Sequence, residues 1–198
     1  ACEYEDVAPD IMCLAKSLGG GVVPIGAYIA TDEIWKKGYG TQEKCMLHTS
    51  TFGGNQVAMA AGMAAIKNIL DNDLPHQAEE KGKYFLGKLS KLKDKSPLVK
   101  DVRGKGLMLG LLSKTPIGKL SEEFTGSLIA GELQNRYHII TAYTLNNPNV
   151  IRLEPPLIVT KEQMDSVVDA LNDILTGQKS FLGLARADTG TILGSFFK

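Results

Sequence analysis

Apolar and polar positions along this chain predict strands and helices interspersed from one end to the other. Ile11 to Ala15 is a short apolar run, followed by Lys16 and then Ser17-Leu18-Gly19-Gly20-Gly21, which reads as a buried strand ending in a glycine-rich turn. A second strand is expected over Ala27-Tyr28-Ile29-Ala30. Thr31 then offers an N-cap, with Asp32 and Glu33 in the first turn of a short helix through Lys37. Residues 38–46 form a polar loop. Asn55 opens a strong helix, Gln56 to about Leu70, rich in Ala and Met and apolar almost all round. Such a helix is normally buried. Asp71-Asn72-Asp73-Leu74-Pro75 closes it and marks the expected hinge between domains, because composition shifts there from Gly/Ala-rich to Lys/Glu/Leu-rich.

From Pro75 to Lys95, Phe85, Leu86, Leu89 and Leu92 make one apolar stripe, with lysines covering the other face. That is the pattern of an amphipathic surface helix and not of a nucleic-acid patch. Val99 to Val102 and Leu107 to Leu112 read as strands flanking the turn Arg103-Gly104-Lys105-Gly106. Ser121 to Arg136 reads as a helix, and His138 to Tyr143 and Val150 to Leu153 as strands around Asn146-Asn147-Pro148-Asn149. Thr160-Lys161-Glu162-Gln163 fits a capping box that starts a helix running to about Leu175. The apolar tail over 177–198, with Phe181, Leu184, Ile192 and Phe196, is expected to dock or to lead into further sequence. The interspersed order makes the class α/β or α+β.

The 198 residues allow one medium domain or two small ones. Lys and Arg number 22 and Asp and Glu 22, so no overall field attracts nucleic acid or an anionic membrane. Cys2, Cys13 and Cys45 form no CxxC pair and no disulfide framework, which favours a reducing, cytoplasmic compartment. No apolar stretch approaches the ~20 residues that span a bilayer. The opening Ala1-Cys2-Glu3-Tyr4-Glu5-Asp6 is neither a signal peptide nor an initiator Met, and the chain is expected to start inside something longer.

Three segments carry candidate chemistry. Lys16 leaves an apolar run just before three glycines. Desolvation disfavours a charged amine, a neutral amine is what a Schiff base needs, and glycines let backbone and ligand approach closely. The alternative is a solvated charge at a strand end. His48-Thr49-Ser50-Thr51-Phe52-Gly53-Gly54-Asn55 places three hydroxyls and a Gly-Gly turn before a helix N-terminus, a place receptive to phosphate. The alternative is a glycine turn with Asn55 as N-cap. His48 has no second ligand at metal-binding spacing and reads as a satisfied structural histidine, so no metal site is expected. In Ile151-Arg152-Leu153-Glu154-Pro155-Pro156-Leu157, the Arg152 fork can hold a carboxylate bidentately, or it can pair structurally with Glu154. Arg103-Gly104-Lys105-Gly106 is no Walker A loop, and Gly19-Gly20-Gly21 is no GxGxxG. There is no GxSxG and no HExxH.

Taken in order, these segments resemble the class III (ω-amino-acid type) aminotransferases that use pyridoxal 5′-phosphate (PLP). Asp10 to Gly21 with Pro24-Ile25-Gly26-Ala27 looks like the family's cofactor-lysine region, and Thr49 to Asn55 like its phosphate-contacting segment. Val102-Arg103-Gly104-Lys105-Gly106-Leu107 and Ile151 to Leu157 follow in family order, so the resemblance covers about residues 1–176. It is closest to the putrescine and ornithine-like branch, around Ala1-Cys2-Glu3 and Thr144-Leu145-Asn146-Asn147.

The resemblance implies fold type I, with residues 1–70 as the last part of the large PLP domain and 71–176 as the small α+β C-terminal domain. It implies that Lys16 forms the Schiff base and moves the proton between substrate carbon and cofactor. Thr51 would bind the PLP phosphate from the neighbouring subunit of a homodimer or higher oligomer. Arg152 would hold the carboxylate of an amino acid or 2-oxo acid. Donors of the putrescine, ornithine-like or ω-amino acid kind and a 2-oxo acid acceptor follow. Aminomutase, racemase or decarboxylase chemistry on the same fold is the alternative, as is a non-catalytic fragment. Family members are more than twice as long, and the part without a counterpart here is their N-terminal half, with the Asp that pairs with the pyridine nitrogen. The chain is therefore expected to need that half as a partner and, alone, to expose apolar surface and associate.

Overall fold

Two short strands, β1 (Ile11–Leu14) and β2 (Ala27–Ala30), pair antiparallel in the computed structural model, with Ile11 opposite Ala30 and Leu14 opposite Ala27. The structure describes residues 2–114 and 125–177 together with Gly183, Ala185 and Arg186. It divides into two units, Ala1–Asp73 and Leu74–Lys198.

The first unit joins β1 to β2 through a tight 3-10 turn over Lys16–Gly19 and continues into α1 (Asp32–Tyr39) and α2 (Gln56–Asp71). Asn55 caps α2 as expected, its side-chain oxygen accepting from the Ala58 N–H at 3.0 Å. Thr31 has the extended backbone of a cap, but its hydroxyl makes no cap bond. The expected burial of β1 and α2 is not what this unit shows. Along β1, exposed and half-buried residues alternate, and in α2 only Ala58 and Gly62 are buried. Val57, Met63 and Leu70 are each at least 66% exposed. The reason is geometric: the turn over Lys16–Gly19 meets α2 along one side only, and that helix is apolar almost all round.

The second unit holds the large core. Its sheet runs β3 (Val99–Lys105), β4 (Met108–Ser113), β6 (Val150–Leu153), β5 (Ala142–Tyr143), every pair antiparallel. The helices are α3 (Leu74–Ser90), α4 (Leu92–Lys95), α5 (Thr125–Tyr137) and α6 (Lys161–Gly177). α3 packs on β3 and α6, and α5 on α6. Phe85, Leu89, Leu111, Ile129, Ile151 and Leu171 are fully buried among them, each contributing about 1.5–3 kcal/mol relative to exposure. The capping box forms: Thr160 N–H donates to Gln163 Oε1 at 2.9 Å and Gln163 N–H to Thr160 Oγ1 at 3.2 Å.

Two expected boundaries differ. Residues 103–105 are not a turn but the end of β3, and the chain reverses at Gly106 and Leu107. Gly104 permits this, because a Cβ there would run into the Met108 carbonyl and the Leu109 backbone. The strand expected over His138–Tyr143 shortens to Ala142–Tyr143. His138 takes a left-handed conformation (φ 56°) at the end of α5, where Ile139 N–H still bonds to the Leu133 carbonyl at 3.0 Å. Residues 121–124 of the helix expected from Ser121 lie outside the described residues. So does the 177–198 tail, apart from Gly177, Gly183, Ala185 and Arg186. No helix of the described residues is long and apolar enough to cross a membrane, and Cys2, Cys13 and Cys45 are free thiols.

Gly82, inside α3, lies against the Gly106 carbonyl, where a methyl group would overlap it. Helix propensity favours alanine by about 1 kcal/mol, but overpacking against fixed backbone costs about 1–3 kcal/mol, and the clash wins. Gly82→Ala is therefore expected to lower the urea midpoint. An unchanged or raised midpoint would contradict this packing.

Candidate functional site

Lys16 stands at the junction of β1 and its turn. Ala15 before it is fully extended (φ −160°, ψ −164°), whereas Lys16 itself is left-handed at φ 57°. A non-glycine residue pays to sit there, and the surrounding bonds hold it: Leu18 N–H to Ala15 O at 3.2 Å and Gly20 N–H to Ser17 O at 2.9 Å. The lysine is exposed on this chain, not seated in the mouth of a buried core. Behind the turn, small residues of α2 allow close approach. A Cβ on Gly62 would sit 3.2 Å from Ile25 Cδ1, and one on Gly20 would sit 3.4 Å from Ala65 Cβ. This contact explains the Gly/Ala content of the region.

The segment before α2 turns tightly, with Gly53 N–H bonded to Ser50 O at 3.0 Å and Asn55 N–H to Phe52 O at 3.2 Å. Gly54 carries φ 72°, which suits glycine. Ser50, Phe52, Gly53, Gly54 and Asn55 line a cavity of about 380 Å³ whose other wall is Val23 to Gly26. The structure thus brings this segment and the connection that leads into β2 to one cavity. Neither that cavity nor the smaller one of about 160 Å³ beside Leu14, Ala15 and Ser17 includes Lys16 or Thr51 in its lining.

Arg152 belongs to the second unit, where strand period decides its direction. Ile151 and Leu153 are buried and Arg152 between them is exposed. Its neighbours in register are Gly110 on β4 and Ala142 on β5, both small. The Glu154 carboxylate lies 3.8 Å from Nη1 and is 43% exposed, too far for a hydrogen bond. The structural pairing weighed for Arg152 is therefore present but loose, and a surface pair of this kind is worth little. Arg152 lines a cavity of about 420 Å³ with Ile139, Ile140, Thr141, Pro155 and Phe85. The two helices that supply Phe85 and Val167 to that cavity are tied by Tyr84, whose hydroxyl lies 2.8 Å from both Asp165 oxygens. That bond, with Lys88 behind it, holds the Asp165 carboxyl below its usual range.

An aminotransferase class-III family model matches residues 1–175. The chain belongs to the class III aminotransferases. These are PLP-dependent enzymes, and the similar structures have fold type I, so the mixed α/β class is that of the family. The acetylornithine aminotransferase of Elizabethkingia anophelis is 35% identical, with a TM-score of 0.74 over 89% of this chain and 43% of its own. The ornithine delta-aminotransferase of Plasmodium falciparum is 29% identical, with 0.73 over 89% of this chain and 42% of its own. A PLP-bound amine transaminase from an uncultivated Pseudomonas species is 29% identical, with 0.77 over 90% and 40%. The chain spans less than half the length of these structures.

One group beside these segments was not anticipated. His48 lies in a cluster of rings with Tyr28, Trp35 and Tyr39. Trp35 and Tyr39 are four apart on a helix, a spacing readable from sequence. Their meeting with Tyr28 and His48 depends on how β2 and the loop fold back. Ile139 and Thr141 beside Arg152 were likewise taken for plain strand positions.

The left-handed backbone at Lys16 has a measurable consequence. Glycine accepts it and alanine does not, so Lys16→Gly is expected to be more stable than Lys16→Ala by about 1 kcal/mol. Equal urea midpoints for the two variants would contradict the assigned backbone.

Proposed function

We propose that this chain supplies the lysine-bearing end of the PLP domain (1–70) and the small C-terminal domain (71–176) of an aminotransferase. The enzyme moves an amino group from a putrescine- or ornithine-like amine, or an ω-amino acid, to a 2-oxo acid. The observation that carries the reading is Lys16, exposed and held left-handed two residues after the end of β1, within a family match that runs over 1–175.

The residues present fit two ends of PLP. Lys16 offers a primary amine for the aldehyde. Thr51, before the N-terminus of the 16-residue α2, offers a hydroxyl for the phosphate in a place where backbone N–H groups favour anions. Lys16 and Thr51 serve different copies of the site, one from each subunit of a homodimer or higher oligomer, and a single chain need not place both in one cavity. PLP supplies the electron sink that lets a proton leave the substrate carbon. Lys16 holds and returns that proton. Arg152, with small residues on both sides and only a loose pair to Glu154, presents its fork to the substrate carboxylate.

The exposed apolar faces of β1 and α2 support a further element of the reading. An N-terminal half of the same enzyme covers them and brings the groups that hold the pyridine ring. The three free thiols support placing the chain in a reducing compartment such as the cytoplasm.

The test is amino transfer to 2-oxoglutarate by this chain supplied with an N-terminal half. Lys16→Ala is expected to lose about 10³-fold or more of the rate. Arg152→Ala is expected to weaken carboxylate-bearing substrates about 10- to 100-fold and simple diamines much less. Transfer that survives Lys16→Ala would overturn the assignment. Turnover without any amino group reaching the acceptor would mean another PLP reaction.

A further inference from the structure

Residues 41–57 form a long stretch that is exposed throughout. Its backbone hydrogen bonds are local. Lys44 and Cys45 N–H bond back to Thr41 O, Leu47 to Lys44 O, Gly53 to Ser50 O and Asn55 to Phe52 O. The Cys45 thiol donates to Gln42 O within the same loop. Asn55 then enters α2. Among the described residues, the ring and hydrogen-bond contacts that tie the middle of this stretch to other elements converge on one side chain, His48.

The imidazole of His48 lies 4.9 Å from the Tyr28 ring on β2 and 5.7 Å from the Tyr39 ring at the end of α1. Tyr39 Oη is 3.4 Å from His48 Nδ1, at the long end of a hydrogen bond. Trp35 backs Tyr39 at 5.2 Å and Tyr28 at 6.4 Å. Burial first, and the neighbouring Tyr39 second, hold the Tyr28 phenol above its ordinary value. Tilted and edge-on ring pairs at these separations add about 0.5–1.5 kcal/mol each beyond the area they cover. That is enough to fix a loop whose own bonds are local.

We infer that His48, clamped by Tyr28 and Tyr39, is the positioning residue of the Thr49–Asn55 segment and sets where Thr51 is offered to the phosphate. The inference rests on the reading of that segment as the phosphate contact. Its geometry is simple: His48 precedes Thr51 by three residues, so freeing the ring frees the backbone that carries the hydroxyl.

The test uses the full chain supplied with an N-terminal half, with hydrogen exchange of the amides over Thr49–Asn55 and inorganic phosphate titrated against the amide shifts of Thr51, Gly53 and Gly54. His48→Ala is expected to speed exchange over Thr49–Asn55 at least tenfold, leave the Met59–Leu70 amides of α2 unchanged, and weaken phosphate about tenfold. His48→Phe and Tyr28→Phe, which keep the rings, are expected to stay within about threefold of the parent on both readouts. Unchanged exchange in His48→Ala, or faster exchange spread equally over α2, overturns the inference. Thr51→Val separates the two claims, because it should weaken phosphate without loosening the loop. If the parent chain gives no phosphate response, the phosphate reading fails and the exchange result alone decides whether His48 is the tether.

Discussion

Two neighbouring strands bury Leu109, Leu111, Ile151 and Leu153 in alternation, and this layer governs what the second unit can present. Side chains along a strand change face every residue, so the register that buries Ile151 and Leu153 also turns Arg152 outward between Gly110 and Ala142. A slip of one residue would put a guanidinium into the core and two aliphatic side chains on the surface. The cost of an unpaired buried charge far exceeds that of any surface contact. The carboxylate-binding geometry proposed for Arg152 is therefore a by-product of core packing.

The first unit works the other way. The connection between its two strands meets α2 through small residues, Gly20, Gly62 and Ala65, which bring the Lys16 turn close to the helix but bury little. Apolar side chains such as Val57, Met63 and Leu70 remain on the surface. What this unit fixes firmly is local: the left-handed Lys16, the hydrogen-bonded turn after it, and the Asn55 cap before α2. The apolar surface around them fits a unit that is completed by further protein, as proposed.

Elements announced by local chemistry were legible in the sequence. The Asn55 cap, the Thr160–Gln163 capping box and the strand Ala27–Ala30 each depend on side chains close in sequence. Elements decided by distant packing were not. The extension of β3 through Gly104 depends on how closely β4 passes, and the shortening of β5 depends on the left-handed His138. Burial of β1 and α2 was expected from composition, yet burial is a property of neighbours. For the candidate site, the residue types pointed to Lys16, Arg152 and the Thr49–Asn55 segment, and the family resemblance singled out Thr51 within it. The ring cluster around His48 stayed hidden, because β2, α1 and the loop must fold together before Tyr28 and His48 meet.

The central claim is that Lys16 is the amine that carries PLP. Borohydride reduction of the chain with PLP, supplied with an N-terminal half and followed by peptide mapping, tests it most directly. The account predicts a single pyridoxyl label on Lys16 that disappears in Lys16→Ala. A label scattered over the surface lysines, or one that leaves Lys16 unmodified, would contradict it.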